Sequence, residues 1–99
     1  MNLPLQQKFI KKVIDESDSF IKRLHVYFNN GYMMSIIYGV GAYSDKDNNK
    51  YEIACYVNNY MTSKFWSDKS EDVLEFVSEG DVMGYIMAIG NSEPLPVEM

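Results

Sequence analysis

The sequence predicts an α+β domain: an N-terminal helix, an antiparallel meander of three or four strands, and a C-terminal helix packed on the sheet. Three observations carry this. Leu5, Phe9, Ile10, Val13 and Ile14 recur at helical spacing. Leu24 to Phe28 and Tyr51 to Val57 alternate with the period of a strand. Val82, Tyr85, Ile86 and Ile89 return to helical spacing near the end. The 99 residues are one domain by size. Within it we expect a helical segment over 1–23, the sheet over 24–65, an acidic segment and closing helix over 66–90, and a flexible tail over 91–99.

In the first segment Pro4 suits an opening helical turn, with Lys8, Lys11 and Lys12 on the polar side. The strand pair that follows is joined at Asn30-Gly31, the sort of dipeptide that tolerates positive φ in a two-residue turn. That turn sets Phe28 opposite Met33, Val26 opposite Ser35 and Leu24 opposite Ile37. Tyr27 then faces Met34, His25 faces Ile36 and Arg23 faces Tyr38. Tyr51, Ile53, Cys55 and Val57 form the inward face of a third strand. Asn58-Asn59 is a second turn, and Tyr60 to Phe65 is a candidate fourth strand. Asp72 to Val77 fits a strand or a helical turn equally. Ser78 with Asp81 three residues on resembles a capping box, and Gly90 suits the position just past a helix end.

Tyrosines crowd one face of this sheet. Tyr27, Met34, Ile36, Tyr38, Ala54 and Tyr56 share it, where a half-solvated sheet would carry polar residues. Either each helix covers one face, or both helices cover the same face and the tyrosines meet a partner.

Charge is unevenly spread. Residues 1–28 hold five bases against three acids, whereas residues 66–99 hold only Lys69 against eight acids. Such a segment repels phosphate backbones and attracts basic protein surfaces over about a Debye length, about 10 Å in ordinary salt. Direct nucleic-acid binding is therefore not expected. One cysteine and one histidine exclude a disulfide framework and a multi-histidine metal site. No apolar run approaches the length of about 20 residues that a membrane span needs, and no signal core opens the chain, so a cytoplasmic protein is expected.

Catalytic constellations are thin. His25 lies mid-strand between Leu24 and Val26, and Cys55 faces the core, where a thiol behaves as a small hydrophobe. Gly39-Val40-Gly41 lacks the helix and lysine of a phosphate cradle. Asp45-Lys46-Asp47-Asn48-Asn49 lacks the glycine of a calcium loop, and Glu52 comes too early for its bidentate carboxylate. We expect no catalytic residue, no cofactor and no metal. Glu71, Asp72 and Glu75 read as solvated acids or as steering charge, and Trp66 as core or as an anchor.

The motif order from Phe28 to Ile89 resembles that of a type of small tailed-phage protein. The residues concerned are Phe28-Asn29-Asn30-Gly31-Tyr32, Gly41-Ala42-Tyr43-Ser44, Tyr51-Glu52-Ile53-Ala54, Glu71-Asp72-Val73-Leu74 and Val77-Ser78-Glu79-Gly80-Asp81-Val82, with Ile86 and Ile89. The chain departs from that type by its N-terminal segment and by lacking glycines after Tyr43-Ser44. Proteins of this kind resemble host-takeover and anti-defence inhibitors, anti-CRISPR proteins among them. The resemblance implies a non-catalytic inhibitor in the host cytoplasm that binds a host defence protein, at a groove that otherwise holds nucleic acid. The residues expected to make the contact are Tyr27, Tyr38, Tyr56 and Trp66 as anchors, with Glu71, Asp72, Glu75 and Glu79 as steering charge. Two rivals remain: an oligomeric sponge for a signalling nucleotide, using Arg23, Lys46 and Lys50, and a self-assembling structural module with an exposed strand edge.

Overall fold

The computed structural model describes residues 5–19, 21–39 and 50–93. Six strands and one helix follow in chain order: β1 (Ile10–Asp15), β2 (Ile21–Phe28), β3 (Tyr32–Gly39), β4 (Lys50–Val57), β5 (Tyr60–Thr62), β6 (Val73–Ser78) and α1 (Glu79–Gly90). The class is α+β: an antiparallel meander sheet followed by a C-terminal helix. Strands β1 to β4 lie side by side in sequence order. The far edge of β4 is shared: Cys55–Val57 pair with β5, and Lys50–Ala54 pair with β6.

The expected N-terminal helix is absent. Residues 5–9 form turns, and Ile10–Asp15 form an edge strand along β2. The apolar spacing was real but had another cause. Leu5, Phe9 and Ile10 pack against the core from a turn segment, while Val13 and Ile14 are β-branched residues on opposite faces of a strand. Pairing with β2 satisfies backbone groups that a short isolated helix would hold only marginally. The Asn29 backbone N–H donates to the Phe9 carbonyl at 2.8 Å, and its side-chain amide donates to the Lys8 carbonyl at 2.8 Å, fixing the entry to β1. The sheet thus begins in the expected helical segment and ends, with β6, inside the expected acidic one.

The first hairpin is real, but its register is one residue from the expected one. Its loop has three residues, Asn29-Asn30-Gly31. The Gly31 N–H donates to the Phe28 carbonyl at 3.2 Å, and Gly31 has φ of 97°. Tyr27 therefore faces Met33, Val26 faces Met34 and Leu24 faces Ile36. A slip of one residue turns every side chain of β3 over. Tyr32, Met34, Ile36 and Tyr38 join Leu24, Val26 and Phe28 on the helix-covered face, and Met33 and Ile37 move to the other. The buried fractions agree: Met34 and Ile36 are fully sealed.

The candidate fourth strand is shorter than expected, ending at Thr62 rather than Phe65. Asn58 and Asn59 turn the chain with φ of 51° and 68°. Residues 73–78 settle as a strand. Ser78 caps α1, its Oγ accepting from the Asp81 N–H at 3.2 Å. Val82, Ile86 and Ile89 are buried against Tyr51, Ile53 and Val77, within a core that also takes in Cys55 and Trp66. Gly90 is the last helical residue rather than the one beyond it; Asn91 forms the cap, its N–H donating to the Met87 carbonyl at 3.0 Å. A side chain at Gly90 would collide with the Phe9 ring, 2.3 Å from where its Cβ would stand. The glycine is there for close approach of the entry segment. The loop motifs at Val40 to Asn49, including Lys46, and the tail from Pro94 lie outside the described residues.

Candidate functional site

The helix covers one face of the sheet, and no described element covers the other. Cross-strand pairing arranges that open face in rows. One row runs Tyr27, Met33, Tyr56, with Met61 of β5 opposite Tyr56. The middle row is His25, Ser35, Ala54 and Val73, small at its centre. The third is Arg23, Ile37 and Glu52, with Glu75 and Phe76 together opposite Glu52 across a bulge in β6. Tyr27, Met33, Ile37 and Tyr56 are all half-buried. Tyr27, Met33 and Tyr56 form a continuous aromatic and aliphatic strip with Tyr hydroxyls as polar tips, and Ile37 lies beyond the buried small residues Ser35 and Ala54.

Tyr27, Met33 and Tyr56 also line a hollow of about 290 Å³, closed at one end by Gly31 and by the Asn58-Asn59 turn. The Lys12 ammonium lies 4.8 Å from the centroid of the Tyr27 ring. Arg23 is held by Asp18 at 3.4 Å, and its backbone N–H by the Ser17 hydroxyl at 3.0 Å.

Of the four expected anchors, only Tyr27 and Tyr56 share this face. Tyr38 lies on the helix side, its ring 5.0 Å from that of Tyr51. Trp66 is 1% exposed, packs edge-on against Tyr85 at 4.9 Å, and donates its indole N–H to the Asp72 carbonyl at 3.4 Å. As placed, it is a core residue and cannot serve as a surface anchor.

The acids divide as well. Glu71, Asp72 and Glu75 are exposed at the β6 margin. Glu79 is half-buried in the first turn of α1, where a carboxylate suits the helix dipole. A second hollow, of about 480 Å³, is bounded by Glu71, Val73, Leu74, Glu75 and Phe76.

Phe76 was not singled out in the sequence. It is 57% exposed with φ of 54°, a left-handed conformation that bulky residues rarely adopt. The bulge that creates it cannot be read from Val73-Leu74-Glu75-Phe76-Val77, because it depends on which residues of β4 lie opposite.

Chemically active groups are kept apart. His25 is on the open face, paired with Ser35, while Cys55 is fully sealed on the helix face, paired with Met34. Burial pushes the Cys55 thiol up to about 12, so it is no thiolate at neutral pH. Burial and the Glu79 carboxylate likewise push Tyr51 up to about 12. Among the described residues no cluster of His, Cys, Asp and Glu is placed to hold a metal ion. Arg23 and Lys50 stand on β2 and β4, and neither lines the two hollows above. Among the described residues no helix is long and apolar enough to cross a membrane.

No family model, no curated protein and no solved structure matches this chain.

Proposed function

We propose that the chain is a non-catalytic, phage-encoded inhibitor that binds a host defence protein through its open sheet face, with the acidic β6 margin directing the approach. The observation that carries this reading is the row Tyr27–Met33–Tyr56, aligned across three strands on a face that no described element covers. Such a row supplies area with few rotors to freeze, as binding hot spots do. Phe76, exposed beside Glu71 and Glu75, adds a second aromatic contact at the acidic margin, two rows from the first.

Charge and anchors have separable roles in this reading. The carboxylates of Glu71, Asp72 and Glu75 raise the encounter rate with a cationic surface, and salt screens them. The tyrosines hold the complex once it is formed, so their loss acts on dissociation.

The test compares the parent with two variants in bacteria that carry a phage-restricting defence system. The parent is expected to restore phage plating and to retain a defence protein on an affinity column. The Tyr27→Ala, Tyr56→Ala double variant should lose both while keeping the parent's fold. Reversal of Glu71, Asp72 and Glu75 to lysine should slow association several-fold and flatten its salt dependence. A parent that restores plating in no defence background, or variants that restore it fully, would overturn the reading.

A further inference from the structure

We infer that residues 94–99, the segment that follows α1, dock across the first hairpin turn onto the Tyr27–Met33–Tyr56 row and hold it until a partner displaces them. The contact stands on the geometry alone; its regulatory consequence rests on the docking reading above. Ser92 lies just past α1, and its carbonyl accepts from the Asn30 side-chain amide at 3.2 Å. Gly31, the next residue of that turn, closes one end of the hollow of about 290 Å³ lined by Tyr27, Met33 and Tyr56. The segment is therefore tethered beside the rim of the hollow, at a point where the rim carries no side chain.

The segment reads Pro94-Leu95-Pro96-Val97-Glu98-Met99. Its two prolines fix φ near about −65° and favour the extended polyproline form, which rises about 3.1 Å per residue. Six such residues reach about 19 Å. The row crosses two strand spacings, about 10 Å in all, so enough length is left to pass the turn. Segments of this form dock on grooves lined by aromatic rings, with little conformational entropy left to lose. The hollow supplies two tyrosine rings. Asn58 and Asn59 at its border supply amides for carbonyls that have no internal hydrogen bonds.

The rival resting place is the outer side of α1, where Met83 and Met87 are 39% and 40% exposed. Charge decides between the two. Laid back along α1, about 18 Å long, the segment would bring Glu98 to the first turn, beside Glu79 and Asp81. Like charges would meet there. On the open face, Pro96 seated over Met33 between the two rings places Glu98 about 6 Å farther on. There it meets Lys12, whose ammonium lies against the Tyr27 ring and forms an ion pair with no described carboxylate. The short tether holds the segment at an effective concentration near millimolar, so a weak contact is enough.

The test is nuclear magnetic resonance of the full chain, isotopically labelled, beside a synthetic peptide of residues 92–99. In the parent, the Pro96 ring protons should show cross-peaks to the Tyr27 and Tyr56 rings and lie upfield of their positions in the peptide. Tyr27→Ala with Tyr56→Ala should return them to the peptide values. Lys12→Glu should move them most of the way there. Adding Glu98→Lys should bring them back, because the pair is re-formed with its signs exchanged. Parent signals that match the free peptide would overturn the inference. So would cross-peaks to the Met83 and Met87 methyls in place of the tyrosine rings, or a charge exchange that fails to restore the shift. Should the tyrosine variant not fold, the exchange at Lys12 and Glu98 decides alone. No partner enters these spectra, so their failure leaves the inhibitor reading standing, and failed phage plating leaves the contact standing. With a partner in hand, Pro94→Ser with Pro96→Ser should speed association several-fold, and an unchanged rate would overturn the regulatory role.

Discussion

The side-chain amide of Asn30 donates to the carbonyl of Ile89 at 2.7 Å and to that of Ser92 at 3.2 Å, so the first hairpin turn caps the end of the last helix. The Ile89 carbonyl otherwise accepts from the Ser92 N–H at 3.2 Å, and the last turn of the helix holds no basic residue to neutralise its negative end. Asn30 is 9% exposed, and its own Oδ1 accepts from the Tyr32 N–H at 3.3 Å. One residue thereby ties together the sheet register and the position of the helix.

Asn30→Ala should cost about 1–3 kcal/mol, since the buried Ile89 carbonyl is left with the Ser92 N–H as its one remaining donor and the half-buried Ser92 carbonyl loses the amide. Asn30→Asp should cost at least as much, because it replaces that donor with a negative charge at the negative end of the helix. Urea unfolding of the three proteins checks the order. A variant as stable as the parent would show that water replaces the amide without penalty.

Gly90→Ala should destabilise the protein although alanine favours helices by about 1 kcal/mol over glycine. The Phe9 ring occupies the space, and overpacking of this kind costs about 1–3 kcal/mol. Paired with Phe9→Ala, the same change should be close to neutral or stabilising. A double-mutant cycle in thermal unfolding measures the coupling.

Gly31→Val should cost about 1–3 kcal/mol, because φ of 97° is strained for a β-branched residue. Phe76→Gly should act in the opposite sense. It relieves φ of 54° at an exposed site, so the midpoint of unfolding should rise. If Phe76 contacts the partner, the same variant should bind more weakly, and measuring both properties separates relief of strain from loss of contact.

Stability should fall in alkali. Cys55 and Tyr51 are both pushed up to about 12, from ordinary values of 9.0 and 10.0. The folded chain therefore keeps protons that the unfolded chain releases once pH exceeds about 9. The contribution is fully present at neutral pH and is lost as pH rises from there toward 12. Denaturant midpoints at neutral pH and at about pH 10.5 should differ, and by less in Cys55→Ala, which lacks one of the two groups. Cys55 should also resist alkylation at about pH 8 until the protein is unfolded.

What the sequence determined is what its neighbours along the chain determine. Asn58-Asn59 turn because both residues tolerate positive φ, Ser78 caps because its hydroxyl reaches the Asp81 N–H, and Val82, Ile86 and Ile89 share a face because a helix repeats every 3.6 residues. The aromatic pair Tyr27 and Tyr56 was legible for the same reason: each lies at an outward position of an alternating strand. Tertiary structure decided the rest. Residues 10–15 have a pattern that suits a helix or an edge strand, and only the presence of β2 beside them selects the strand. The hairpin loop has three residues rather than two, its Asn30 reaching Ile89, 59 positions away in the chain, and that shift exchanged the faces of Met33 and Met34. Phe76 was exposed by the bulge where β6 met β4, and Trp66 was buried against Tyr85 of α1. Local periodicity reports which residues can share a face. Which face is covered depends on contacts between distant segments, and those exist only once the chain has closed on itself.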